Sequence, residues 1–295
     1  PMRKPVQKFG GAHTEKKLAK LEAYLKAYST ALKNQNFRLI YFDAFAGTGD
    51  IQIAGATPLL EGVDEYAPFI KGSAQRALNF GKAFHRYIFV EKSQSKVRQL
   101  KDLRDGFPAI ADRIDILHGD ANYHLTNFCS GTNWKNTRAI VFLDPFGNQI
   151  SWKTVVSIAE TKAIDLWYLF PAGLGVLRQI SKNKGVHETH RASLNTLLGT
   201  EEWHQTFIET TSAPGLFDEN ENQERRATVE SVTRFMIERM KEIFAGGVLD
   251  EWLPLGSRGI HMYSLLFAWA NPSGKAKLAG KLARAVLRSG NRGRA

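Results

Sequence analysis

Four carboxylates close or follow apolar runs in this chain, each at a place where a side chain can meet a ligand. "RLIYFD" ends at Asp43, "RYIFVE" at Glu91 and "RAIVFLD" at Asp144, while "RIDILHGD" runs through His118 and Gly119 to Asp120. Asp43 leads into "AFAGTGD", in which Phe45 and Ala46 precede Gly47 and Gly49. A Walker loop closes on Gly-Lys-Ser/Thr, so that the lysine meets the terminal phosphates and the hydroxyl meets magnesium. This turn closes on Asp50 instead, which would repel a triphosphate. A dinucleotide turn runs from its glycines directly into a helix facing the pyrophosphate. Here helical spacing resumes only at about Ser73. S-adenosylmethionine has no phosphates and carries a sulfonium and an ammonium, which an acid and a close-approaching glycine turn suit well.

The other acids extend that reading. A carboxylate held at the end of the second strand, Glu91, can accept hydrogen bonds from two ribose hydroxyls. Asp120, with Ala121 after it in "HGDAN", can accept from an adenine amine. A helix cap or a loop acid is the plainer reading of each. Asp144 opens "DPFG", where a carboxylate and the Pro145 carbonyl could accept both hydrogens of an exocyclic amine and aim its lone pair at a methyl group. Phe146 could stack on a base taken out of its helix. The pattern is similar to the fourth-strand motif of enzymes that methylate base amines, an acidic or amide residue followed by two prolines and an aromatic. This chain lacks the second proline and brings the aromatic forward one place. An Asp-Pro turn after a strand is the alternative.

The elements that must position these residues follow from hydrophobic spacing. Leu18, Leu21, Leu25, Tyr28 and Leu32 keep helical spacing from a cap at Thr14 to about Asn34. Helices are expected over Ser73–Ala83, Ser93–Arg104 and Ser151–Thr161, alternating with strands that are apolar throughout. Such strands indicate a parallel sheet covered on both faces, whose ligands bind beyond the carboxyl ends. Residues 50–72 show no periodicity, which suggests a functional loop. Residues 172–245 look mainly helical with a turn at 212–218, and "GVLDEWLPL" and "IHMYSLLFAWA" look like two closing strands, possibly antiparallel.

With 295 residues, 43% hydrophobic and 23% charged, the chain can bury a substantial core. No apolar run approaches the roughly 18–20 residues of a membrane span, and the basic start lacks the apolar stretch of a secretory signal. Pro1 before Met2 is set aside as the remnant of a cleaved tag. One cysteine, Cys129, excludes an internal disulfide and a multi-cysteine zinc site, so no metal is expected and a cytoplasmic setting is the simplest. The net charge of +11 is uneven: Lys275, Lys277, Lys281, Arg284, Arg288, Arg292 and Arg294 follow one another with no acid between or after them. In that tail Leu278, Leu282 and Val286 share a helical face, while Lys277, Lys281, Arg284 and Arg288 line another. This is either a solvated side of a packed helix or a phosphate-contacting edge.

Taken together, "GGAHTEKKLAKLEAYLKAY", "RLIYFDAFAGTGD", "KGSAQRAL", "FVEK", "HGDAN", "VFLDPFG", "DLWYLFPAGLGVLR" and "YSLLFAWANPSG" resemble segments of the three-Cys-motif partner proteins (TcmP). His13 stands where that family suggests a tryptophan. The resemblance implies a Rossmann-like class I methyltransferase α/β sheet, mostly parallel with an antiparallel closing strand and helical additions. It also implies S-adenosylmethionine as cofactor and a partner with a three-cysteine motif. The motifs are also similar to those of ribosomal-RNA adenine methyltransferases. Carried over by position, Phe45, Ala46, Gly47 and Gly49 would form the cofactor turn, Glu91 would hold ribose and Asp120 adenine. Asp144, Pro145 and Phe146 would face the acceptor. Lys17 and Ser73 could meet the methionine carboxylate, and Arg178 could meet a substrate phosphate.

The expected organisation is a helical segment over 1–36, a core over 37–171 and 246–272, a helical insertion over 172–245 and a basic helix and tail over 273–295. The leading functional expectation is methylation of a nucleobase amino group in RNA or DNA. The alternatives are a cofactor-binding or silent subunit of a three-cysteine enzyme, and a methyltransferase of protein or a small molecule.

Overall fold

A computed structural model describes residues 11–46, 67–180, 186–211, 222–257 and 260–289, and the side chains of 11–18, 67–72, 210–211, 222–224 and 257 fall outside it too. Gly47, Gly49, the Lys17 side chain and the turn expected at 212–218 therefore lie outside the described residues.

Five parallel strands make the centre: β1 (Arg38–Asp43), β2 (Arg86–Glu91), β3 (Ile114–His118), β4 (Thr137–Leu143) and β5 (Ile164–Phe170). Their spatial order is β3-β2-β1-β4-β5. The chain therefore reverses direction across the sheet between β1 and β4, the kind of switch point where open α/β sheets bind ligands. The strand β10 (Ile260–Trp269) then pairs antiparallel with β5 and carries the short β8 (Gly247–Val248) and β9 (Leu253–Ser257) on its far side. The fold is thus Rossmann-like α/β, with the mostly parallel sheet and antiparallel closure expected.

The apolar runs are continuous because both faces of the sheet are covered. Along β4, Ile140 and Phe142 join one core while Ala139, Val141 and Leu143 join the other. On the first face lie α1 (Gly11–Leu32), α2 (Ala67–Leu78), α3 (Gln94–Asp105) and α9 (Lys277–Arg288). The second face is covered by α4 (Ala121–Gly131), α5 (Trp152–Glu160), α6 (Glu188–Leu198), α7 (Glu202–Phe207) and α8 (Val229–Ile243).

Several boundaries differ from expectation. Helix α1 starts ahead of Thr14, and α2 starts at Ala67, ahead of Ser73. Pro68 is no obstacle to that start, because a proline in the first helical turn lacks only an N–H that would have no partner anyway. The region after β5 holds a hairpin, β6 (Ile208–Thr211) with β7 (Asn222–Arg225), as well as helices. Its polar "IETT" and "NQER" give no apolar alternation to read. "GVLDEWLPL" splits into β8 and β9. In α9 the buried stripe is Ala279, Gly280, Ala283, Val286 and Leu287, whereas Leu278 is 47% exposed. Small residues there let the helix approach closely, and the Trp269 ring lies against Gly280. Among the described residues no helix is long and apolar enough to cross a membrane.

Candidate active site

The turn after β1 is built from below. Asp43 is buried, and its Oδ1 accepts from the Phe45 amide at 3.2 Å while its Oδ2 accepts from Ser73 Oγ at 2.8 Å. The Ala44 amide donates to the Phe142 carbonyl of β4 and the Ala46 amide to the Val90 carbonyl of β2. The turn is therefore pinned between its two neighbouring strands. Burial raises the Asp43 carboxyl to about 7, although the Ser73 and Phe45 bonds pull it down. Ser73 stands inside α2, not at its start, and is neither a helix cap nor open to a ligand: it is 1% exposed and holds Asp43.

A pocket of ≈ 180 Å³ opens beside this turn, lined by Ala44, Phe45, Val90, Glu91, Lys92, Gly119, Asp120, Ala121 and Gln149. Phe45, Glu91, Asp120 and Ala121 are thus brought together, as the sequence suggested, with Ala46 just beyond them. Glu91 is 2% exposed. Its Oε1 accepts from the Ser93 amide at 2.6 Å, and its Oε2 is buried with no partner among the described residues. Asp120 is exposed and does cap a helix: its Oδ1 accepts from the Tyr123 amide at 3.1 Å, in the first turn of α4. The plainer reading of Asp120 therefore holds alongside its place in the pocket. Gly119 is held at φ +149°, where a Cβ would lie 2.7 Å from His124 Nε2, so only glycine fits this bend into the pocket wall.

Asp144, Pro145 and Phe146 follow β4 beside β1, with Asp144 and Pro145 buried and Phe146 half-buried. They do not line the pocket. Tyr41 feels both halves without bonding to either: its phenol is pushed well up by burial first, then by the charges of Asp43 and Asp144, and its hydroxyl has no hydrogen-bond partner among the described residues. The segment that leaves Asp144 is stitched down on three sides. Asn122 Nδ2 donates to the Gln149 carbonyl at 2.8 Å, and Asn122 Oδ1 accepts from the Ser151 amide and Thr154 Oγ1. Gln149 Oε1 accepts from the Phe146 amide at 2.9 Å. Asn148 Nδ2 donates to Gln179 Oε1 and Ser193 Oγ. After β5 the chain makes a single π-turn, Ala172–Leu177, an irregularity frequent at functional sites. Arg178 follows it, exposed and apart from the pocket.

Lys92, Asn122 and Gln149 were not singled out by the sequence. Lys92 follows Glu91 and Asn122 closes "HGDAN", so adjacency to the motifs was the available signal. Gln149 reaches the pocket through the loop path, which no spacing rule gives.

No family model matches the chain, and none of the curated proteins does. Among solved structures, a Legionella pneumophila protein of the DUF519 family model is 14% identical over 97% of this chain and 95% of its own, with a TM-score of 0.45. Magnesium protoporphyrin IX methyltransferase from Synechocystis, with bound SAH, is 12% identical over 91% and 89%, with a TM-score of 0.39. The CcbJ methyltransferase of Streptomyces caelestis is 10% identical over 90% and 100%, with a TM-score of 0.37. At such identities and scores the functional reading rests on the residues of the site.

Proposed function

We propose that this chain is an S-adenosylmethionine-dependent methyltransferase acting on the exocyclic amino group of a nucleobase in RNA or DNA. The observation that carries the reading is Glu91, a buried carboxylate in a pocket wall with one oxygen fixed by a backbone amide and the other without a partner among the described residues. A buried acceptor left unsatisfied is costly, and a ribose diol would satisfy it. The donor set fits the cofactor: a carboxylate for hydroxyls, Asp120 for an adenine amine, and no need of a cation for phosphates.

When bound, S-adenosylmethionine supplies an electrophilic methyl group. Asp144 and the Pro145 carbonyl, one strand over from the cofactor turn, would accept both amine hydrogens and turn the nitrogen lone pair outward. Asp144 or water would take the proton that the amine gives up on methylation. Holding the amine in line is the main service, and no strong base is required. Purified protein is expected to bind S-adenosylmethionine and to transfer labelled methyl to an RNA or DNA fraction. Asp144→Ala should lose transfer while keeping cofactor affinity, and retained transfer would remove Asp144 from this role.

The missing second proline after Asp144 favours one further reading, a cofactor-binding subunit for a three-cysteine-motif enzyme. It calls for binding without turnover on RNA, DNA or protein, and for co-purification with that partner.

A further inference from the structure

The segment that leaves Asp144 closes on one side chain. The chain bends through Phe146, Gly147 and Asn148, with Gly147 in the left-handed region at φ +66°. The Gln149 amide donates to the Gly147 carbonyl at 3.0 Å, and Gln149 Oε1 accepts from the Phe146 amide at 2.9 Å. The root of that side chain is held from α4, where Asn122 Nδ2 donates to the Gln149 carbonyl at 2.8 Å. A backbone amide can only donate, so the oxygen of the carboxamide must be the atom that faces Phe146. The amide it holds belongs to the Pro145–Phe146 peptide unit. Such a unit is planar, and in its trans form the carbonyl and the N–H point in opposite directions. No peptide bond among the described residues is cis. A grip on the Phe146 N–H therefore also sets the direction of the Pro145 carbonyl, which meets no donor among the described residues. Stability alone gives this bond little to do, because Gln149 is exposed and water competes for both groups. Its other property is position: Gln149 lines the pocket together with Phe45 and Glu91.

We infer that Gln149 is a positioning residue for the acceptor, turning the Pro145 carbonyl toward the amine hydrogen and fixing it relative to the cofactor pocket. The inference rests on the function proposed above. A peptide plane free to rotate would present its carbonyl over a range of directions, whereas in-line transfer needs the amine held in a narrow one. Donation from the Phe146 N–H to Gln149 also polarises the same unit, which strengthens its carbonyl as an acceptor.

Three forms of the chain test this: wild type, Gln149→Leu, which fills similar space without an acceptor, and Gln149→Glu, which restores one. Amide hydrogen exchange followed by NMR reads the bond itself. Phe146 should exchange roughly tenfold faster in Gln149→Leu and within about threefold of wild type in Gln149→Glu. Single-turnover transfer of labelled methyl to the RNA or DNA fraction that takes label reads the role. Saturating S-adenosylmethionine, set from calorimetry on each form, keeps cofactor affinity out of the comparison. The rate should fall roughly tenfold or more in Gln149→Leu, and Gln149→Glu should recover most of that loss. If Gln149→Leu fails to fold, Gln149→Ala serves the same comparison. Unchanged Phe146 exchange in Gln149→Leu overturns the bond, and faster exchange with transfer at the wild-type rate overturns the positioning role. A loss of transfer that Gln149→Glu does not recover shows a role other than acceptance from Phe146 and overturns the inference too. These results leave the proposed function standing. Wild-type protein that transfers methyl to neither RNA nor DNA overturns the proposed function and, with it, this role.

Discussion

Asp43 has two bonded donors, and burial still lifts its carboxyl to about 7, far above the 3.8 of a solvated aspartate. The folded chain therefore keeps a proton that the unfolded chain has already released across that window. Stability from this source is complete below about pH 4, falls as pH rises to about 7 and is flat above, with a slope of at most about 1.4 kcal/mol per pH unit. Asp43→Asn removes the titration. Urea melts at about pH 5 and about pH 8 should therefore show the wild type losing stability relative to the variant as pH rises. A pH-independent difference would sink this account. Asn122 offers a second test, because its side chain ties α4 to the segment leaving Asp144. Asn122→Ala should reduce methyl transfer tenfold or more, on the order of the effect of misplacing a reacting group, while cofactor Kd changes much less. Equal losses in both would show that the contact serves only stability.

In the proposed reading, the loop elements after β4 and β5 set the acceptor edge. In the π-turn after β5, a Cβ on Gly175 would fall 2.2 Å from Asn148 Oδ1 and 3.0 Å from Pro171. Gly175→Ala must therefore push Asn148 off Gln179 and Ser193, at a cost of about 1–3 kcal/mol of stability. Transfer should fall further than that loss of folded protein explains, which thermal melts and single-turnover rates together will show. This contact also marks where the sequence stopped being informative. Strand ends were legible at Asp43, Glu91 and Asp144 because apolar runs buried on both faces stop abruptly at an acid. Helix starts were legible at Ser93 and Ser151, where a serine opens helical spacing, although only the Ser151 hydroxyl accepts a capping bond, from the Thr154 amide. The stitching by Asn122, Asn148 and Gln149 was not, since polar side chains bonding across loops leave no period. Nor was Ser73, which stood at the start of an expected helix as a ligand donor and serves Asp43 from inside a helix.

At the scale of the whole molecule, one face of the sheet is closed by helices from opposite ends of the described chain. Lys20 of α1, 7% exposed, donates through Nζ to the Val286 carbonyl at 2.5 Å and the Leu287 carbonyl at 2.9 Å. It caps the last turn of α9, where a cation also meets the negative end of the helix dipole. Lys20→Met should destabilise the fold by about 1–3 kcal/mol, read from urea midpoints, because two carbonyls lose a charged donor. Charge is spent locally at this end as well. Arg284 and Arg288 both bond Glu251, while Lys275, Lys277 and Lys281 stay exposed. If the chain binds RNA, Lys281→Gln should flatten the salt dependence of binding by about one unit of slope and Arg284→Gln by clearly less. Equal effects would show that Glu251 does not occupy the arginine.

The Lys20 bonds also constrain the order of assembly. Leu21, Tyr24, Leu25 and Tyr28 share their core with Ala279, Ala283, Val286 and Leu287, so α1 leaves the ribosome long before the helix that completes its cover. Until α9 emerges, the apolar side of α1 has only part of its partner surface. Folding of this face is therefore delayed past synthesis of the sheet, and the nascent chain carries a sticky aromatic surface that chaperones would recognise. Ribosome-stalled chains ending before Lys277 should stay sensitive to protease within α1, and chains extended past Arg288 and clear of the exit tunnel should become resistant.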